Sequence, residues 1–143
     1  YEDIAMQLEV FEILQRFTEQ PNRKSKVEFL KNNALPAIKD VCRGAYDDKL
    51  EFILPEGKPP YTPNRPESVP NTLLKRHRDF GLFVKGARSE GTPQYKIENI
   101  FIQLLESIHP EDALIVLNMV NRKAPVKGLT KKIVEEAFPT LLS

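Results

Sequence analysis

The sequence predicts an all-α protein, a single compact domain of six or seven helices joined in part by a proline-rich strap. Apolar residues recur at the helical period in several stretches, and prolines, glycines and capping residues mark where these stretches begin and end. With 143 residues and 41% apolar content, the chain is long enough to build one hydrophobic core. We therefore expect one helical domain over residues 1–143.

The first part of the chain predicts three short helices. Apolar residues between Ile4 and Phe17 follow the helical period, and Pro21 ends this stretch. Ser25 is predicted to cap a second helix, because its hydroxyl can accept a hydrogen bond from the first turn. Pro36 is predicted to open the third, since proline is favoured at the first helical position.

A strap then separates the two helical parts of the chain. Residues 50–54 are expected to be a short extended piece. The next sixteen residues, 55–70, contain six prolines, which excludes a helix. The segment is either an ordered strap or a mobile loop, and Tyr61 within it indicates packing. No second domain is expected.

The remaining sequence predicts four further helices. One is capped by Asn71 and runs to about Arg88, and another covers the apolar residues of 97–108. Pro110 is predicted to start the next helix, and the last is expected over residues 129–138.

Composition limits the classes of function. Charged residues make up 29% of the chain but nearly cancel to a formal +1, so net charge alone identifies no partner. Cys42 is the single cysteine, which excludes an internal disulfide or a cysteine-rich zinc site, and we expect it to be buried. No apolar run is long enough to span a bilayer and no signal-peptide pattern is present. We expect a cytoplasmic protein without a membrane partner.

The motifs that encode catalysis do not occur in the sequence. It has no glycine-rich phosphate loop, no paired-histidine helix and no nucleophile elbow. His77 and His109 are interpreted as packed or capping residues rather than metal ligands. The acidic pair at 47–48 is interpreted as a turn, and the pair at 111–112 as carboxylates that favour a helix N-terminus. We expect no enzyme, cofactor, metal or small-molecule substrate.

The most informative segment is Arg122–Lys132, which carries five basic residues and no acid. Lys131 and Lys132 fall in the first turn of the last helix, where cations oppose the helix macrodipole. A bound anion would explain this placement, because backbone N–H groups at a helix start bind phosphate. An idle charged face is the alternative. The predicted nucleic-acid contacts in this segment are Arg122, Lys123, Lys127, Gly128, Thr130, Lys131 and Lys132.

A second basic stretch lies on the helix predicted after Asn71. Lys75, Arg78 and Lys85 fall opposite its apolar stripe. Ordinary amphipathicity and a role in nucleic-acid contact are both consistent with this pattern, and both interpretations stay open.

The run LNMVNRKAPVKGLTKKIVEEAFPTLL, residues 117–142, resembles the N-terminal helical DNA-binding domain of ATP-dependent DNA ligases, especially the short form in T-even bacteriophages. Arg122 and Lys123 match basic positions near a helix end, and Gly128 matches the glycine of the link. Phe138, Pro139 and Leu141 match the closing element, and the early run SKVEFLKNNALPAIKDVCRGAYDD, with its aromatic Tyr46, is similar to the family's first helices.

The resemblance implies contact with the backbone and minor groove of duplex DNA with little base specificity. It also points to a small stand-alone phage protein that acts in an infected bacterial host. The link departs from the family pattern in Ala124, Pro125 and its additional lysines. The Lys-x-Asp-Gly motif of the ligase catalytic domain does not occur, so we expect no ligation by this chain.

Two hypotheses follow. The first is a non-catalytic module that binds the phosphate backbone of a nucleic-acid duplex. The residues themselves do not distinguish DNA from RNA, and the resemblance alone favours double-stranded DNA. The second is a helical protein–protein interaction module, such as a phage adaptor, inhibitor or virion component. Its candidate surfaces are the acidic first helix and the strap.

Overall fold

The computed structural model describes residues 8–65, 71–86 and 88–142. Within these ranges the protein is all-helical, with seven α-helices, one 3₁₀-helix and an isolated antiparallel bridge between Phe52 and Val84. The all-α prediction is confirmed. The helices are α1 (Val10–Thr18), α2 (Arg23–Asn32), α3 (Pro36–Tyr46), α4 (Leu73–Arg76), the 3₁₀-helix η1 (His77–Leu82), α5 (Gln94–Ser107), α6 (Pro110–Val120) and α7 (Lys131–Ala137).

The first three helices form where the sequence predicts them, with one change of cap. Asn22, not Ser25, caps α2, and its side chain accepts a hydrogen bond from the Ser25 backbone N–H at 2.9 Å. Ser25 is the third helical residue, and its hydroxyl oxygen accepts from the Asn22 N–H at 3.2 Å. The two residues thus satisfy each other's backbone donors, which fixes the helix start three residues earlier. Ile4 lies outside the described residues.

The helix predicted from Asn71 to Arg88 is wrong in its cap and its length. Thr72 precedes α4, which passes into η1 and ends at Leu82. Beyond Leu82 the backbone pairs with residues 51–53 instead of continuing the helix. The Ile53 N–H donates to the Phe83 carbonyl, and the Lys85 N–H donates to the Glu51 carbonyl, both at 2.8 Å. This pairing confirms the extended piece at 50–54. Ala87, also expected on this helix, lies outside the described residues.

The last three helices follow the prediction, α7 being slightly shorter than expected. Pro110 is the first residue of α6, as predicted. Leu129 and Phe138 lie just outside α7, and both are buried in the core.

Helix α6 is the centre of the packing. It contacts α1, α3 and α5, while α7 packs mainly on α2. Gly44 of α3 allows an especially close approach, because a Cβ atom there would lie only 2.5 Å from the sulfur of Met119. Cys42 of α3 is fully buried, as predicted, and burial raises the pKa of its thiol to about 12.

The described part of the strap, residues 55–65, is hydrogen-bonded to the helices. Gly57 N–H donates to the side-chain oxygen of Asn121 at 2.8 Å, and the Asn121 amide donates back to the Gly57 carbonyl at 3.1 Å. Thr62 N–H donates to Glu106 at 2.8 Å, and Tyr61 packs half-buried against the core, as expected. These bonds favour the ordered alternative for residues 55–65. None of the helices in the described residues has the length and apolar character needed to cross a membrane.

Asp112 in the first turn of α6 does more than favour the helix dipole. Its side chain is fully buried, and one oxygen accepts a hydrogen bond from the Phe11 backbone N–H of α1 at 2.8 Å. Its other oxygen, Oδ2, and Oε2 of Glu9 are buried without a hydrogen-bond partner. Burial first, and then the nearby carboxylates of Glu9 and Glu12, raise the pKa of Asp112 to about 7. One proton shared by Glu9 and Asp112 would satisfy both orphaned oxygens.

The raised pKa predicts a stability that falls with increasing pH. Between the ordinary value of 3.8 and about 7 the folded protein retains a proton on Asp112 that the unfolded chain releases. The free energy of unfolding should therefore decrease across this window, by up to about 1.4 kcal/mol per pH unit for one proton. Asp112→Asn keeps the acceptor for Phe11 and cannot ionise, so it should flatten this decrease in urea denaturation between pH 4 and 8.

Glu111→Gln is the matched control, because Glu111 is the neighbouring carboxylate in the same turn and is exposed. It should leave the pH dependence of the wild type in place. Parallel curves for wild type and Asp112→Asn would contradict the shared proton.

Candidate nucleic-acid interface

The segment between α6 and α7, residues 121–130, is called here the α6–α7 link. Arg122 stands at its start with a left-handed backbone, φ 60°. Its guanidinium donates to the carbonyls of Gly44 at 3.0 Å and Asp47 at 2.7 Å, both at the end of α3. The Gly44 carbonyl lies in the last turn of α3, where carbonyls lack a helical partner, and the Asp47 carbonyl also accepts from the Leu50 N–H at 3.2 Å. Arg122 was predicted to contact phosphate, whereas its hydrogen bonds hold the link against α3.

Further hydrogen bonds fix the course of the link. The Asn118 amide of α6 donates to the Pro125 carbonyl at 3.3 Å. The hydroxyl of Tyr46 in α3 donates to the Leu129 carbonyl, and the side chain of Leu129 is fully buried. The link is therefore anchored near its start, middle and end.

Gly128 and Thr130 shape the start of α7. Gly128 has φ +85°, a conformation that residues with a Cβ atom rarely adopt. The Thr130 hydroxyl oxygen accepts a hydrogen bond from the Ile133 N–H at 3.3 Å, which makes Thr130 the N-cap. Both predicted site residues thus serve the geometry of the backbone here. The Thr130 oxygen accepts from a backbone N–H of α7 rather than contacting a ligand.

Lys131 already has an anionic partner. Its ammonium lies 2.9 Å from a carboxylate oxygen of Asp48, which follows α3. This hydrogen bond, together with the lysine's charge, lowers the pKa of Asp48, and the same contact raises the pKa of Lys131. The expectation that Lys131 is an unmatched cation is therefore wrong. Asp48 offsets the unfavourable placement of a cation at this helix start, and its separation of 83 positions hides it from local sequence patterns.

Three other predicted lysines remain exposed: Lys123, Lys127 and Lys132. Among the described residues, none of the ion pairs includes them. Glu136, four positions after Lys132 on α7, forms an ion pair with Arg23 of α2. We call Lys123, Lys127 and Lys132 the lysine surface.

Two members of the lysine surface, Lys123 and Lys127, border the exposed side of α6. Lys123 lines a cavity of about 420 Å³, and Lys127 lines a second cavity of about 570 Å³. Leu114 and Asn118 of α6 line both cavities, so the two lysines flank the same stretch of helix. Lys132 is the second residue of α7.

The second basic stretch does not form one helical face. Lys75 lies on α4, Arg78 on η1 and Lys85 beyond the Phe52–Val84 bridge, all three exposed. Arg78 lines a separate cleft, beside Arg43 of α3. Because the helix ends at Leu82, Lys75, Arg78 and Lys85 do not share the helical face on which their predicted role in nucleic-acid contact depends.

The histidines have the structural roles predicted for them. His77 is buried with Nδ1 2.5 Å from a carboxylate oxygen of Asp40. His109 caps α6, since its Nδ1 accepts from the Glu111 N–H at 3.0 Å, and its ring stacks on Phe11. The described ranges contain no group of three or more side chains able to hold a metal ion.

Sequence reasoning missed two residues that position this region. Asp48 was interpreted only as part of a turn, and Asn118 carried no signal beyond its place on a helix. Tyr46, by contrast, was singled out through the resemblance, and it does contact the link.

A family model described as a family of unknown function, DUF6433, matches residues 13–125, which is well over half of the chain. Comparison with curated proteins and with solved structures gives no match.

Replacing Gly128 should destabilise the fold. Gly128→Ala places a Cβ atom on a left-handed backbone, 3.4 Å from the Lys26 side chain. We expect a loss of about 1–2 kcal/mol in the free energy of unfolding, measured by urea denaturation. Gly86→Ala is the control, because a Cβ atom there meets nothing within 4 Å, and it should stay within about 0.5 kcal/mol of wild type. Equal stabilities for the two variants would show that the left-handed turn carries no strain.

The Lys131–Asp48 pair can be tested by titration. Lys131→Gln removes the largest cause of the lowered Asp48 pKa, so this pKa should rise toward its ordinary value of 3.8 in an NMR titration of the carboxyl carbon. Lys132→Gln makes the same charge change one residue away and should leave the Asp48 titration nearly unchanged. A shift of similar size in both variants would contradict the specific pair.

Proposed function

The chain belongs to the DUF6433 family, whose function is unknown, and we propose that it is a non-catalytic module that binds the phosphate backbone of duplex DNA with little sequence specificity. The observation that carries the proposal is the lysine surface, whose exposed ammonium groups have no carboxylate partner in the described part of the chain and lie on or beside a fixed link.

The fixed backbone favours binding to a polyanion. Hydrogen bonds from Arg122 and Asn118 hold the link in place, so little backbone order has to be gained when phosphate binds. Duplex DNA carries one charge per about 1.7 Å of axis, and each neutralised phosphate releases condensed counterions. Lys123, Lys127 and Lys132 need break no ion pair in the described structure before they bind.

The contact set differs from the one predicted by sequence. Lys131 is paired with Asp48, and Arg122, Gly128 and Thr130 support the backbone that presents the lysines. Lysine is a compact point charge, unlike the planar arginine fork that pairs with guanine, so low base specificity is expected. The resemblance of residues 117–142 to ligase DNA-binding domains supports the same partner.

The proposal predicts a steep salt dependence that the lysine surface controls. In fluorescence anisotropy with a fluorescent duplex, the triple variant Lys123→Gln, Lys127→Gln and Lys132→Gln should bind more weakly for every sequence. The slope of log K against log salt should flatten by about 0.9 for each phosphate that the variant no longer neutralises.

The matched control is the triple variant Lys75→Gln, Lys85→Gln and Lys96→Gln, which removes the same charge from other exposed positions. It should retain most of the wild-type slope. An equal decrease of the salt slope in both triple variants would show that net charge, rather than the lysine surface, drives binding. Absence of duplex affinity at low salt would refute the proposal.

The second candidate is a helical protein–protein interaction module. It is favoured by Leu114, which is 45% exposed on a helix that is otherwise largely buried, between cavities of about 420 and 570 Å³. Contiguous apolar surface is typical of protein contact sites, and Phe11, Ile115 and Val126 line the larger cavity beside Leu114. A protein without duplex affinity at low salt would leave this candidate as the better one.

A further inference from the structure

A cleft of about 240 Å³ lies apart from the lysine surface, between α3, η1 and the Phe52–Val84 bridge. Three arginines line it: Arg43 from α3, Arg78 from η1 and Arg88 from the turn beyond the bridge. Asp40 and His77 are the other titratable residues of its lining.

Positive charge predominates in the cleft. Asp40 is the one carboxylate among its lining residues, and it is engaged by His77 at 2.5 Å. Arg43 forms an ion pair with the buried Asp47, 3.8 Å from Nε to a carboxylate oxygen. Arg78 and Arg88 take part in none of the ion pairs found among the described residues. The cleft thus holds three guanidinium groups, of which Arg43 is paired with Asp47 and two take part in no ion pair among the described residues.

Arg88 is exposed, and one hydrogen bond orients its side chain. Its Nη1 donates to the Arg78 carbonyl at 2.6 Å, and its side chain lies directly over Gly81. A Cβ atom at Gly81 would come within 2.9 Å of that same nitrogen. A side chain at position 81 would therefore require the Arg88 guanidinium to move from its present place.

Apolar side chains surround the guanidinium groups. Leu50, Phe52, Phe80 and Val84 line the cleft beside them, and the Phe80 side chain is buried. The three arginines are themselves exposed, so an anion here would be held mainly by charge-assisted hydrogen bonds to their guanidinium groups. Arginine forks match the oxygen geometry of phosphate and can bind it through paired hydrogen bonds.

The size of the cleft restricts its ligand. Its volume of about 240 Å³ is below the ~300–1,000 Å³ of pockets that enclose whole drug-sized ligands. A phosphate or pyrophosphate group with a few waters fits, whereas a duplex backbone is too wide to enter. A terminal phosphate can enter because it carries only one ester bond.

We propose that this cleft binds a terminal phosphate, either the phosphoryl group of a phosphomonoester or a pyrophosphate. The group can come from a small phosphate ester or from the phosphorylated end of a nucleic-acid strand, which present the same dianion to the arginines. This site is independent of the proposed duplex contact, and it revises the expectation that the protein binds no small molecule.

The test is isothermal titration calorimetry of the full chain with pyrophosphate at pH 7.5 and low salt. Wild type should show saturable binding, and the double variant Arg78→Gln and Arg88→Gln should bind at least about tenfold more weakly. The double variant Lys75→Gln and Lys85→Gln removes the same charge outside the cleft and should change the affinity less than about twofold.

A second pair of variants keeps every charge in place. Gly81→Ala should push the Arg88 guanidinium away and weaken pyrophosphate binding, whereas Gly86→Ala, where a Cβ atom meets nothing within 4 Å, should not. This pair also covers the case in which the arginine variant does not fold. Wild type without saturable pyrophosphate binding at millimolar concentrations would overturn the proposal, as would unchanged affinity in the folded Arg78 and Arg88 variant or in Gly81→Ala.

Two further experiments distinguish the possible sources of the phosphate and separate this site from the proposed duplex contact. Tighter binding of a 5′-phosphorylated duplex than of its 5′-hydroxyl counterpart would assign the site to a strand end, and equal binding would assign it to a small phosphate ester. The Lys123, Lys127 and Lys132 triple variant should lose duplex affinity and keep pyrophosphate affinity. A joint loss of both would overturn the assignment of this cleft as a separate site.

Discussion

The close contact between α3 and α6 is the constraint on which the functional region depends. Gly44 provides the space that the sulfur of Met119 occupies, so the two helices approach more closely than a side chain at position 44 allows. The carbonyl of the same glycine accepts a hydrogen bond from the guanidinium of Arg122, which lies just beyond the end of α6. The same turn of α3 thus receives the Met119 side chain of α6 and binds Arg122, the residue beyond the end of that helix. The hydrogen bonds of Arg122 fix the start of the link that carries the lysines.

Polar groups at the two ends of α6 connect this central helix to its neighbours. At its start, the buried Asp112 carboxyl holds the N-terminal end of α1 through Phe11. At its end, Arg122 holds the C-terminal end of α3, and Asn121 holds the strap at Gly57. Each of these groups satisfies backbone atoms that the ends of helices or the strap leave open. The apolar core supplies the burial, and these polar groups fix how the elements meet.

The features predicted correctly from sequence are those with local causes. Pro36 and Pro110 open helices because of the backbone angle that proline fixes, and apolar periodicity places α1, α5 and α6. The errors come from pairings between distant parts of the chain. Pairing of residues 51–53 with 83–85 ends the helix that its own sequence would continue, and Asp48 matches a lysine 83 positions away.

The candidate site was predictable as a segment but not in the roles of its residues. Five basic residues without an acid identify Arg122–Lys132, yet only the fold shows which of them are already engaged. The arginine cleft carries no local signal at all. Its three arginines lie on α3, on η1 and beyond the bridge, and no sequence spacing relates them.

Burial of Cys42 has a practical consequence. A thiol with a pKa of about 12, closed off from solvent, forms almost no thiolate at neutral pH and is shielded from alkylating reagents. Because it is the only cysteine, a second one introduced on the surface becomes the single reactive position in the folded protein. Dyes or spin labels can then be attached at one chosen point without first removing the native sulfur.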